Sequence, residues 1–316
     1  MSKYLVDSTE MTAIANAIRQ KDGTQTTMMV TEMPTRIQNI PSGGGTDYMA
    51  LRVQGTLSSY VIPNTCTKIS PYSFRGMPLT SVTIPNTITE IGAYAFYSCD
   101  LTSISIPSSV TKIGNYSFSW SNLTSVTIPD SVTEIGQDAF EYCDLTSISI
   151  PSSVTKIGSW AFSHNSDMTS ATFGMNMNAE FSNYVFTWCS KLTTLNNFSS
   201  SIFKPKNTSS TLPYIVEDLF DNTALVGDIY IDSAEIGNDA FNNSYSAGIL
   251  YIHLTQDDTS LLASSYTFGA ATASYNRSFN FDHCRLVVPY SADHSILTAY
   301  QTAFPNYSSI MIEETP

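Results

Sequence analysis

The sequence predicts a repeat solenoid, and three observations predict it. A 22-residue skeleton recurs without a gap from Leu57 onward, its large apolar residues fall in fixed columns, and one charged column alternates in sign from unit to unit. A unit of that length is one supersecondary element that cannot bury its apolar face alone, so successive units stack and cover each other.

Five units begin at Leu57, Leu79, Leu101, Leu123 and Leu145, and a looser sixth begins at Met168. Ile62, Ile84, Ile106, Ile128 and Ile150 share a column, and each is followed by a proline. A second column holds Ile69, Ile91, Ile113, Ile135 and Ile157, and a third holds Phe74, Phe96, Phe118, Phe140 and Phe162. In "LTSVTIP" the alternation puts Val82 and Ile84 on one face and Ser81 and Thr83 on the other, which is a short strand. Pro85 ends it, because proline cannot donate to a ladder. Gly92, Gly114, Gly136 and Gly158 supply a turn that a Cβ obstructs, and the following "AYAF" is a turn or short helix that drops its Phe into the core. One short alternating strand per unit, at a period in the twenties, marks a leucine-rich-repeat array. The first 14 residues of the units at Leu101 and Leu145 are identical, which points to duplication of a double unit.

The alternating column is Lys68, Glu90, Lys112, Glu134 and Lys156. Stacked at the ~4.8 Å strand spacing, like charges would repel, whereas alternation gives an exposed ladder worth about 0.2–1 kcal/mol per pair. The register also separates the cysteines. Cys99 and Cys143 share a column two rungs apart, roughly 10 Å, beyond disulfide reach, and five cysteines cannot all pair. They are expected as free thiols.

Four domains follow along the 316 residues. Residues 1–41 form a helical docking segment, with Met11, Ile14 and Ile18 on one helix face and Met33, Ile37 and Ile40 on a second short helix. So few apolar anchors cannot build a core, so the segment packs on a partner or on copies of itself, a homo-oligomer being one such assembly. Residues 42–56, with "PSGGG", are linker and solenoid entry, and residues 57–191 are the regular repeats. Residues 192–316 are degenerate repeats with an exposed insertion around Lys204 to Thr211, one restored unit with Ile236 and Phe241 in the core columns, and a C-terminal cap of strand, Ser-capped helix and strand.

The repeated "LTSVTIPNTITEIGAYAF" and "LTSISIPSSVTKIG" resemble the BspA-like class of leucine-rich repeats, and "VVPYSADHSILTAYQTAFPNY" is similar to the terminal region of that class. The N-terminal "YLVDSTEMTAIANAIRQKDGTQTTMMVTEMPTRIQNI" resembles a segment that opens tail-associated structural proteins of phages of Gram-positive bacteria. Together the resemblances imply a virion protein attached to a tail or baseplate partner through residues 1–41, with the solenoid facing a host cell-surface glycan or protein. A bacterial surface adhesin and a structural spacer or decoration protein are the alternatives. The amino terminus lacks an apolar core of signal-peptide length, which favours the virion over the bacterial cell surface as the expected location.

The formal net charge is −13, and residues 1–41 are balanced, so the excess lies on the repeats. Such a surface repels phosphate backbones, so no nucleic-acid partner is expected, and no stretch is apolar enough to insert in a membrane. The histidines His164, His253, His283 and His294 are scattered without metal-type spacing. Asp282, His283 and Cys284 are chain neighbours whose side chains alternate faces in a strand. No catalytic residue, metal site or cofactor is therefore assigned, and the chain is read as a non-enzyme. Sequence variation concentrates around the core Phe, at Tyr94, Tyr97, Tyr116, Trp120, Tyr142, Trp160, His164, Tyr184 and Trp188, with Asp138 and Glu141 among them. If exposed, this line suits stacking on sugar rings or anchoring a protein; otherwise it covers the turn edge of the core.

Overall fold

The computed structural model describes residues 58–205, 212–237, 240–241, 248–255, 284–315 and the backbone of 266–268. Met11, Ile14, Ile18, Met33, Ile37 and Ile40 lie outside the described residues, as do the linker and most of the expected insertion.

Each turn of chain contributes two short parallel strands where the sequence predicted one. The longer strands are β1 (Ser59–Val61), β3 (Ser81–Thr83), β5 (Ser103–Ser105), β7 (Ser125–Thr127), β9 (Ser147–Ile150), β11 (Ser170–Phe173) and β13 (Thr194–Asn196). Between them lie β2 (Lys68–Ile69), β4 (Glu90–Ile91), β6 (Lys112–Ile113), β8 (Glu134–Ile135), β10 (Lys156–Ile157) and β12 (Glu180–Phe181). These two-residue strands form one six-stranded sheet in the order β12-β10-β8-β6-β4-β2. Two residues are too few to show alternation, which hid the second strand from the sequence.

The register is the predicted one. Lys68, Glu90, Lys112, Glu134 and Lys156 pair in succession, and Glu180 extends the row. Lys68–Glu90 and Lys112–Glu134 close to 2.9 Å. Inside, Leu79, Leu101, Leu123 and Leu145 are fully buried. The Phe column is a continuous stack from Phe74 through Phe96, Phe118, Phe140, Phe162, Phe186 and Phe220 to Phe241, with successive ring centroids 5.1–5.7 Å apart.

The glycine column is the obstruction the sequence predicts, a close approach between rungs. A Cβ on Gly158 would lie 2.4 Å from the backbone nitrogen of Gln137 in the preceding rung. The hydroxyl-rich composition also has a structural use. Thr89, Thr111, Thr133 and Thr155 each donate Oγ1 to the carbonyl of the equivalent residue one rung back. Ser109, Ser131 and Ser153 donate Oγ to the carbonyls of Ile88, Val110 and Val132 in the preceding rung, one position past their equivalents, at 2.6–2.8 Å. Polar groups that an open coil would leave to water are thus satisfied between rungs.

Beyond Lys191 the two-sided coil continues despite the lost period. β14 (Tyr214–Ile215), β16 (Ala234–Ile236) and β18 (Tyr266–Phe268) form one side, in order. β15 (Gly227–Ile231), β17 (Leu250–Leu254), β19 (Cys284–Val288) and β20 (Met311–Glu313) form the other. Ile236 and Phe241 are buried as expected. The flanks of the 206–211 segment meet, since Tyr214 N–H donates to Lys204 O at 3.0 Å. Helix α1 (Ser295–Ala303) packs Tyr300 into the core between β19 and β20. Its N-cap residue is His294, which makes no side-chain cap bond; Ser291 Oγ accepts from Ile296 N–H instead. Among the described residues no helix is long and apolar enough to cross a membrane.

Candidate functional site

The segment carrying each core Phe is neither helix nor strand. Tyr94, Phe96 and Ser98 donate their N–H groups to Asn115, Ser117 and Ser119 of the next rung at 2.7–2.9 Å. Ala95, Tyr97 and Cys99 fold back three residues to Gly92, Tyr94 and Phe96. This pattern holds two positions per rung in the left-handed region, two residues before and two after the Phe. Tyr94, Tyr116, Asp138, Trp160 and Tyr184 occupy the first with φ of 53–66°, and Ser98, Trp120, Tyr142, His164 and Trp188 the second with φ of 51–62°.

The single aromatic line expected from sequence is therefore two parallel columns. In the first, Tyr72, Tyr94 and Tyr116 stack at 4.9 and 4.5 Å, and Trp160 stacks on Tyr184 at 4.3 Å. Tyr72 belongs to this column and was missed, although its place two residues before Phe74 gives it the same register. In the second, Trp120–Tyr142, Tyr142–His164 and His164–Trp188 stack at 4.3, 4.1 and 6.1 Å. Tyr97 joins neither column. It lies beside them, where the Arg75 guanidinium sits 5.1 Å from its ring and 5.6 Å from that of Tyr94.

The second column is the more accessible. Trp120, Tyr142 and Trp188 are 52%, 39% and 41% exposed. With Asp144, Ser166 and Ser190 they line an open groove of about 550 Å³, within the size range of ligand sites. Stacked rings present edges, not faces, to a ligand. At one end of the column Trp120 stacks, among the described residues, only on Tyr142; its other neighbour in the column is Ser98. One indole face is thus a platform at the end of the groove.

Between the columns runs a stripe of smaller buried residues, Ser119, Ser163 and Thr187, interrupted by Glu141. Glu141 Oε1 lies 3.7 Å from His164 Nδ1. Burial, then the Asp138 carboxyl, pushes Glu141 up to about 7. Burial also pushes Asp138 up, partly offset by its polar neighbours Tyr116, Gln137 and Glu141, and burial lowers His164. Asp138 is buried and its Oδ2 has no hydrogen-bond partner. Among the described residues no group of His, Cys, Asp and Glu is arranged to hold a metal ion.

The cysteines, which the spacing left as free thiols, are all buried and none is in a disulfide. Cys99, Cys143 and Cys189 donate to the carbonyls of Phe74, Phe118 and Phe162 one rung back, at 3.1–3.3 Å. Ser121 and Asn165 fill the same row for Phe96 and Phe140. Burial pushes Cys99 and Cys189 up to about 12, so these are structural donors and not nucleophiles.

The two-sided coil with its Phe ladder and paired carbonyl donors defines a leucine-rich-repeat protein. The chain belongs to the BspA type leucine rich repeat family, whose model matches residues 50–169 and 111–248. It is similar to a leucine rich repeat protein of T. pallidum, at 27% identity over 48% of this chain and 73% of that one, TM-score 0.42. It is also similar to a leucine-rich repeat protein of Bacteroides ovatus, at 19% identity over 81% and 92%, TM-score 0.43. A leucine rich cell surface protein of Faecalibacterium prausnitzii matches at 21% identity over 68% and 60%, TM-score 0.39. No curated protein matches. No enzymatic family is indicated.

Proposed function

We propose that the chain is a non-catalytic recognition protein that engages a bacterial cell-surface glycan or protein through the groove of Trp120, Tyr142, His164 and Trp188. The observation that carries this is the occupancy of the second left-handed column. Flanking rungs place Gly76, Ser98 and Asn222 there, none of them aromatic. Four consecutive rungs instead hold aromatic side chains, which the left-handed turn does not call for, since it recurs with Gly, Ser and Asn in the same place. The rings suit recognition by a polar ligand with apolar patches: edges and hydroxyls along the wall, one indole face at Trp120, and hydroxyl and carboxylate groups opposite.

The presenting particle is a phage tail or baseplate in this reading, with residues 1–41 as the attachment and a Gram-positive host. Its support is the resemblance of those residues to tail-associated proteins. The second reading is a bacterial surface adhesin, favoured by membership of the BspA-type family. The test labels the full chain with a fluorophore and titrates it onto a panel of Gram-positive cells, beside Trp120→Ala/Trp188→Ala. Saturable binding to some strains, weakened at least about tenfold in the folded double variant, is expected. Unaltered binding by that variant would dismiss the groove, and no binding to any strain would dismiss recognition. Immunogold labelling separates the readings by placing the chain on tails or on the bacterial envelope.

A further inference from the structure

We propose that the break in the first aromatic column, at Asp138, is a binding slot for a guanidinium group, the arginine side chain of a protein partner. This goes beyond the groove reading and does not rest on it.

The column runs Tyr72, Tyr94, Tyr116, Asp138, Trp160, Tyr184, Asp218, and Asp138 is the one rung without a ring that has rings on both sides. Rings one rung apart stack at 4.3–4.9 Å. Tyr116 and Trp160 are two rungs apart, roughly 9–10 Å by the strand spacing, with the Asp138 side chain and its Gln137 cover between them, so a flat group enters as Gln137 moves aside. The floor of that interval is acidic. Asp138 is 4% exposed, and its Oδ2 is buried without a hydrogen-bond partner. Glu141 follows three residues later, its side chain 15% exposed. Among the described residues no lysine or arginine forms an ion pair with either; the ion pairs of this region join Lys68 to Glu90, Lys112 to Glu134 and Glu141 to His164. A buried carboxyl that lacks a cation and one hydrogen bond is costly, and a ligand that supplies both relieves the cost. The ligand must be flat to enter between two rings, cationic to suit two carboxyls, and a hydrogen-bond donor to reach Oδ2. Guanidinium has all three properties, stacks on aromatic faces and donates to carboxylate in a fixed fork. An ammonium is cationic but not flat. Gln137 is the cover, since its Nε2 donates to Tyr116 Oη at 3.2 Å from the Asp138 rung. It is an exposed side chain and can swing aside.

The probe is N-acetyl-arginine amide, titrated into the full chain by calorimetry, with the lysine analogue and glucosamine in parallel. Saturable binding of the arginine probe, several-fold tighter than the other two, is expected. Asp138→Asn should weaken it at least about tenfold, because it removes the charge that pairs with the ligand. Asparagine is comfortable at the φ of 53° found here, so that variant keeps the fold. Trp160→Ala should weaken it about threefold or more. Gln137→Ala, with the cover removed, should bind at least as tightly as the parent. Absence of binding to both the parent and Gln137→Ala overturns the proposal, as does equal affinity in Asp138→Asn or a preference for glucosamine.

Discussion

An aromatic residue in the left-handed region costs about 1–2 kcal/mol relative to its ordinary backbone. Tyr94, Tyr116, Trp160 and Tyr184 accept this in one column, and Trp120, Tyr142, His164 and Trp188 in the other. Each ring in a stack recovers about 0.5–1.5 kcal/mol per neighbour beyond its burial, so the columns are near balance and only a run of rings is tolerable. A half-buried carboxyl beside a second carboxyl has no such compensation, and that makes Glu141 the residue whose energetics are most open to measurement. Its folded value near 7 exceeds the ordinary value of 4.5, so between those limits the folded chain holds a proton the unfolded chain has lost. Stability is greatest below about pH 4.5 as far as this group is concerned, and falls as pH rises through 7. Glu141→Gln removes the penalty. Its stability should match the parent near pH 4 and exceed it by on the order of 2 kcal/mol at pH 8, after a discount for partial solvent access. Thermal melts at the two pH values check this, and a difference that does not change with pH would refute it. His164 titrates in both proteins and cancels in the comparison, apart from its contact with residue 141.

At the scale of the element, the turn carries the lesson about what sequence shows. The Phe column, the strand ending in proline and the charge register were legible because each recurs at 22 residues and side-chain periodicity reports it directly. The conformation around Phe96 was not, because left-handed residues are normally flagged by Gly or Asn and here carry Tyr and Trp. The glycine column was legible as a place where a Cβ is obstructed, and the obstructing atoms are mostly backbone of the preceding rung. Two kinds of glycine now separate. Gly158 has an ordinary φ and no room, a Cβ meeting Gln137 N, Gln137 Cα and Gly136 C at 2.4–2.7 Å, all of them backbone. Gly76 has φ +68° and nothing within 4 Å of a Cβ. Gly158→Ala must push apart a pair of hydrogen-bonded rungs and should cost about 3 kcal/mol. Gly76→Ala meets only the left-handed penalty and should cost about 1 kcal/mol. Denaturant midpoints of the two variants test the order, and equal losses would mean that the rungs separate more easily than the contacts imply.

At the scale of the molecule, the coil was visible as far as the period was strict, and beyond Lys191 it was read as one restored unit and a cap. β17 and β19 stack there in a separate parallel sheet, β15-β17-β19-β20, but the longer stretches of chain between them moved the columns out of register, so the pattern was lost while the stacking survived. Eight of the nine column positions were named from variation around the Phe, with Tyr72 missed and Tyr97 outside both columns; their division into two columns needed the turn geometry, and the acidic break between Tyr116 and Trp160 needed the stacking. A coil of this kind is quasi-one-dimensional: each rung touches only its neighbours, and stability is a sum of rung and interface contributions. The buried Phe ladder is the strongest of those interfaces, so a break in it should stay local. Phe140 is fully buried and stacks on Phe118 and Phe162 at 5.2 and 5.5 Å. Phe140→Ala removes both stacks and leaves a cavity worth about 3–5 kcal/mol. Hydrogen exchange should then rise in β6, β8 and β10, decay with distance along the coil, and leave β17, β19 and β20 close to the parent, since they share no contact with the altered rung. A uniform rise across all strands would show one cooperative unit instead of a chain of neighbours, and would extend the reach of every substitution considered for the groove.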